Sequence, residues 1–128
     1  MPPIHAVNTA ADFALDPRLE NDSALIENLP LCQLRKIYCD DVPWFLLVPR
    51  VQNISEITHL SPAQQIQLMS EIADVSARIQ KEYTPDKMNI AALGNVVAQL
   101  HVHIIGRYHT DAAWPKPIWG IITPRPPA

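Results

Sequence analysis

Gln99-Leu100-His101-Val102-His103-Ile104-Ile105-Gly106-Arg107 alternates between polar and apolar residues. In an extended chain Leu100, Val102 and Ile104 share one face, while Gln99, His101 and His103 share the other. β-Branched residues on the apolar side favour a strand over a helix. Side chains two apart on a strand project the same way, with Cα atoms roughly 6.5 Å apart. One face is therefore expected to pack into a core, and the other to present two imidazoles and an amide side by side. Gly106 is expected to end the strand or bend it.

Alternation alone leaves three uses of the imidazoles open. They can be solvated polar residues on the wet face of a half-buried strand. They can chelate zinc, which needs a third or fourth ligand, although the remaining His, Cys and acidic residues form no obvious partner set. Or they can do nucleophilic or acid–base chemistry, because imidazole titrates near neutral pH and can attack phosphorus or carbonyl carbon.

Working outward, Lys87 to Leu93 reads as a strand, and Gly94-Asn95 turns it back onto the histidine strand. Before it, Ser61-Pro62-Ala63-Gln64 is a capping box with proline at the first helical position. Ile66, Met69, Ile72, Val75, Ile79 and Tyr83 recur at spacings of three or four, an apolar stripe suited to packing on a sheet. This helix of about 22 residues ends before Pro85, because the residue preceding proline is pushed out of helical geometry. Earlier still, Leu31 to Tyr38 and Pro43 to Val48 read as two strands joined at Cys39-Asp40-Asp41, and Pro49 ends the second. Strands, one long helix and then a hairpin predict an α+β fold.

Residues 1–30 read as a loose leader. Asn8 to Phe13 are a possible short helix, Asp16-Pro17 and Asn21-Asp22-Ser23 are turn or cap signals, and Leu15, Leu19, Leu25 and Ile26 can pin the segment to the body. Residues 112–128 form a tail rich in Trp and Pro. Such stiff segments often lie across a neighbouring subunit, and Trp114 and Trp119 can serve either that packing or contact with a ligand.

Composition narrows the function classes. The 128 residues suit a single domain, and 48% hydrophobic content is ordinary for a globular chain. The net charge of −3, without a basic block, argues against polymeric nucleic acid as a partner but not against a mononucleotide. Cys32 and Cys39 flank one predicted strand, so a mutual disulfide is not expected. Two cysteines without signal-peptide features read as a reduced, cytoplasmic protein. No apolar run approaches the ~18 residues of a membrane span.

Gly94-Asn95, then Gln99 to Arg107, then Trp114-Pro115 together resemble the signature of the histidine triad (HIT) superfamily, His-φ-His-φ-His-φ-φ with φ apolar. Gln99 stands where that pattern has its first histidine. The resemblance runs from about Leu31 to the C-terminus, and is nearest to small bacterial HIT-domain proteins. It implies an antiparallel sheet of about five strands crossed by one long helix, in a two-fold homodimer.

The resemblance also implies a chemistry. It is hydrolysis or transfer at the α-phosphate of a purine nucleotide conjugate, such as a phosphoramidate, aminoacyl adenylate or dinucleoside polyphosphate. His101 matches the middle histidine, the nucleophile that forms a nucleotidyl-histidine. His103 matches the third, a donor to a phosphate oxygen or leaving group. Gln99 would support them as a hydrogen-bonding substitute. Asn89 would donate to phosphate, Asp40 would hold the ribose hydroxyls, and the Gly94-Asn95 loop would offer backbone N–H groups to phosphate. Where the family often has a histidine near the phosphates, this chain has Gln52 or Asn53. The scheme needs neither metal nor cofactor. A nucleotide sensor with little turnover and a metal protein using the His-x-His pair are the alternatives.

Overall fold

A computed structural model describes residues 13–128. The possible helix at Asn8 to Phe13 falls almost wholly outside this range. A short helix α1 (Pro17–Asp22) leads into β1 (Ser23–Asn28), β2 (Cys32–Ile37) and β3 (Trp44–Pro49). One turn of 3-10 helix (Ile57–His59) precedes α2 (Pro62–Tyr83), and β4 (Lys87–Ala91) and β5 (Val102–Arg107) follow. The strands form one antiparallel sheet in the order β1-β2-β3-β5-β4. This is the α+β architecture expected from the sequence.

The leader is more ordered than its composition suggested. Asp16 caps α1 by accepting from the Arg18 N–H, and Ser23 to Asn28 pair with β2 as an edge strand. Leu19 is buried there, whereas Leu25 and Ile26 point to solvent.

Helix α2 begins where its capping box places it. Ser61 Oγ accepts from the Gln64 N–H, and Gln64 Oε1 accepts from the Ser61 N–H. Its buried stripe is Leu68, Ile72, Val75 and Ile79. Ile66 and Met69, expected on that stripe, are 74% and 63% exposed. At 3.6 residues per turn Ile66 lies about 160° round the helix from Leu68, so the two cannot face the same sheet. The stripe packs with Leu34, Phe45, Leu47, Val102 and Ile104 on one face of the sheet.

The opposite face is also covered. Ile37, Trp44, Leu46, Val48 and Ile105 pack with Leu19 from α1 and with Ala113, Ile118 and Ile122 from the C-terminal tail. The tail therefore folds onto its own sheet. Strand β5 is buried along its whole length because both of its faces are roofed. Gly106 lies inside this strand, paired with Met88, rather than at its end. A Cβ there would sit 2.8 Å from Pro43 and 3.3 Å from Ile79, so the glycine permits helix and hairpin to close on β5.

Candidate active site

The register of β5 decides where the histidines point. Ile104 faces the helix layer, and His103 and Ile105 face the tail layer. His101 precedes the strand by one residue and lies beside His103, with ring centroids 5.0 Å apart. The wet face expected for this pair is absent: His101 is 7% and His103 8% exposed, because α1 and the tail roof them.

Each ring is held by a different hydrogen bond. His101 Nδ1 lies 2.6 Å from the carbonyl oxygen of Gln99. A carbonyl only accepts, so Nδ1 carries the proton and Nε2 keeps its lone pair. For His103 the relation is inverted. Trp44 Nε1–H donates to His103 Nδ1 at 3.0 Å. Indole nitrogen only donates, so the proton of neutral His103 sits on Nε2. Burial, and secondarily the neighbouring His101, push the His103 pKa down from its ordinary value to about 3. The pair thus presents one lone pair and one N–H side by side. Trp119 from the tail meets the His103 ring edge-on at 5.2 Å.

These rings open into a cavity of about 380 Å³ whose lining is mostly apolar. Leu19, Ile37, Trp44, Leu46 and Val97 form its greasy walls, and Asp22 is the acidic residue of the lining. A second, smaller hollow of about 190 Å³ also borders His101, lined by Ser55, Glu56, Thr58 and Leu93 among others. Gly94 borders both, at φ +72°, a left-handed conformation that glycine adopts freely. Among the described residues no group of three His, Cys, Asp or Glu side chains could hold a metal.

The structure brings together His101, His103, Gly94 and Asn95 of the residues singled out from the sequence. Gln99 adjoins them through its backbone, but its side chain reaches elsewhere. Its Oε1 accepts from the Asp16 N–H at 2.8 Å, and its Nε2 donates to the Ala14 carbonyl at 2.9 Å.

Asn89 lies on the histidine side of the sheet but lines neither hollow. Its Oδ1 accepts from Arg107, whose guanidinium is gripped at its other nitrogens by the Asp111 carboxylate. Buried Arg107 needs acceptors on every side, and Asn89 supplies one. Asp40 is exposed in the β2–β3 turn, beside a depression shared with Lys36 and Tyr83 on the helix side of the sheet. It lines neither of the hollows beside the histidines, and Asp22 is the acidic residue that lines their cavity. Asp22 and Trp44 were not singled out in the sequence. The first reads as a turn residue and the second as one apolar position among six, and only the pairing of β1 with β2 and β3 with β5 turns them inward.

Residues 18–110 match the HIT domain. The chain belongs to the HIT family. HIT proteins bind nucleotides and act as nucleotide hydrolases or transferases. The fold is similar to that of a histidine triad protein from Bradyrhizobium japonicum, with TM-score 0.86 and 47% identity, covering 91% of this chain and 87% of that one. A HIT protein from Sinorhizobium meliloti 1021 gives TM-score 0.88 and 42% identity, covering 93% and 88%. One from Marinobacter aquaeolei VT8 gives 0.86 and 43%, covering 89% and 83%. Among curated proteins none matches the chain significantly. Among the described residues no helix is long and apolar enough to cross a membrane.

Proposed function

We propose that this HIT protein transfers a nucleotidyl group to His101 and then to water, hydrolysing a purine nucleotide conjugate at its α-phosphate. The observation that carries the reading is the complementary pair of ring states: a lone pair on His101 Nε2 beside an N–H on His103 Nε2, at the mouth of an apolar cavity.

In the first step His101 Nε2 attacks phosphorus. An N–P bond forms, the bond from phosphorus to the leaving group breaks, and the leaving group departs with that electron pair and takes its proton from water. The imidazole becomes cationic, and the Gln99 carbonyl stays bonded to its Nδ1–H. His103 donates from Nε2 to a non-bridging phosphate oxygen as charge builds there. It keeps its proton, because losing one from a neutral ring would leave imidazolate. Water then attacks phosphorus and loses a proton to solvent, the N–P bond breaks with its electron pair returning to His101 Nε2, and the mononucleotide leaves.

The larger cavity suits base and ribose. An apolar wall of Leu19, Ile37 and Leu46 can pack a purine, and Asp22 can accept from the ribose hydroxyls, the role first given to Asp40. The smaller hollow bordering His101 is the place for the leaving group. Phosphate meets the loop at Gly94 and Asn95.

Two chains associate in this reading. Strand β4 is an open edge of the sheet. Ile90 on that edge and Ile66 and Met69 on α2 are 48%, 74% and 63% exposed. A two-fold dimer across this edge would bury them.

The experiment is mononucleotide release from an adenosine phosphoramidate, a lysyl adenylate and diadenosine polyphosphates, with His101→Ala beside the native chain. Turnover that disappears in the variant supports the reading and ranks the leaving groups. Native chain that turns over none of them contradicts it.

A further inference from the structure

Gln99 begins the histidine motif, yet its side chain turns away from the imidazoles. Both ends of its amide are used on the backbone of one short stretch: Nε2–H to the Ala14 carbonyl, and Oε1 from the Asp16 N–H. This two-point grip fixes the chain just ahead of α1. Asp16 is the N-cap of that helix, and its carbonyl accepts from the N–H groups of Leu19 and Glu20. Leu19 and Asp22, one turn further on, form a wall of the larger cavity.

A second link closes the ring. The Asp16 carboxylate holds Arg18 through Nε at 3.1 Å and Nη2 at 2.9 Å. Arg18 Nη1 then donates to the Val96 carbonyl at 3.1 Å. Val96 belongs to the Gly94–Val97 loop, whose residues line the same cavity as Leu19 and Asp22. Meanwhile the backbone carbonyl of Gln99 orients His101. One residue thus ties the ring that reacts, the helix that walls the cavity and, through Asp16 and Arg18, the loop that faces it.

We propose that Gln99 is a positioning residue for nucleotide binding: its amide holds the Ala14–Asp22 segment and the Gly94–Val97 loop at the spacing a bound mononucleotide needs. This deepens the nucleotide reading of the site and rests on it. It assigns affinity, rather than the chemical step, to the first position of the motif. It also makes Arg18, a residue outside the motif, part of the same device.

The test is AMP binding by calorimetry to the full chain, beside Gln99→Met and Arg18→Met. Methionine keeps the length of glutamine without its amide. Losing both amide hydrogen bonds, partly replaced by water, should weaken AMP about tenfold in Gln99→Met, and losing the link to Val96 should weaken it about threefold in Arg18→Met. Gln99→Glu keeps the acceptor for the Asp16 N–H but loses the donor to Ala14, and should fall between Gln99→Met and native. In hydrogen exchange the Asp16 amide should be protected in the native chain and lose protection in Gln99→Met.

With a turned-over substrate the loss should appear as a higher KM, with kcat falling no more than about threefold. Native affinity in Gln99→Met, or a kcat drop of about a hundredfold at constant KM, would overturn the proposal. Should Gln99→Met fail to fold, Arg18→Met decides alone, its side chain being 59% exposed. Native chain that binds no AMP would contradict the nucleotide reading itself, and this proposal with it. Tight native binding unaffected by either variant would sink only this proposal.

Discussion

Trp44 Nε1 sits 3.0 Å from His103 Nδ1, and this single hydrogen bond decides which nitrogen of His103 faces the cavity with a proton. The donor lies on β3 and the acceptor on β5, and the pairing of Trp44 with Ile105 and Leu46 with His103 brings them together. The tautomer of His103 is thus a consequence of strand register.

Trp44→Phe removes that donor while keeping an aromatic ring in the core. His103 then has no fixed tautomer, and the Nε2–H that the proposed reaction directs at phosphate is present only part of the time. We expect kcat to fall by roughly tenfold to a hundredfold, less than the roughly hundredfold to thousandfold lost when an oriented donor is removed outright, because the Nε2–H is still present part of the time. Steady-state kinetics on phosphoramidate measures it. Native kcat would show that His103 orientation does not depend on Trp44.

His103 should not titrate in the physiological range. Its folded pKa is depressed to about 3 from an ordinary 6.5, chiefly by burial. The folded chain therefore takes up no proton on this ring as pH falls below the unfolded value, while the unfolded chain does. The stability conferred by a neutral His103 is fully present above about pH 6.5 and declines as pH falls toward about 3. NMR of the His103 ring protons between about pH 5 and pH 8 should show constant shifts. A midpoint near 6.5 would mean that the ring is not desolvated as described.

Arg107 and Asp111 form a buried bidentate pair, with both side chains 1% exposed. Asp111→Asn leaves the guanidinium with Asn89 and the Trp114 ring face, 5.6 Å away, and no counter-charge. A loss of about 3–5 kcal/mol is expected in chemical denaturation. Arg107 holds the Asp111 pKa at about 2, below its ordinary 3.8. Its contribution is present above about pH 4 and fades toward pH 2, worth roughly 2 kcal/mol in all. A variant as stable as the native chain would refute this role.

Gly106→Ala puts a methyl group 2.8 Å from the Pro43 ring and 3.1 Å from Pro85. Neither proline can rotate away, so the hairpin or the helix end must shift, at about 1–3 kcal/mol. Thermal unfolding reads this directly, and an unchanged midpoint would show that the packing yields freely.

Much of this could be read from the chain. Ser61 and Gln64 announced the start of the helix, and Pro85 its end, because capping and proline chemistry are local. The alternation at Leu100 to Ile104 announced a strand and its core face. What was hidden was every feature set by a partner distant in sequence. Ile66 and Met69 share the spacing of the core stripe, and only the sheet decides which arc of the helix is inside. The histidines seemed bound for solvent because nothing local says that Ile118 and Ile122 fold back over them. Asp22 looked like a turn, and the use of Gln99 as a clamp on Ala14 and Asp16 spans 85 and 83 residues of sequence.

The central claim is that His101 Nε2 bonds to phosphorus. The direct measurement is mass spectrometry of native chain and His101→Asn after rapid quenching of a reaction with an adenosine phosphoramidate. An adenylyl group is expected on the peptide carrying His101, formed before free AMP accumulates and absent from the variant. AMP released by both proteins at equal rates, or an adduct on another residue, would contradict it.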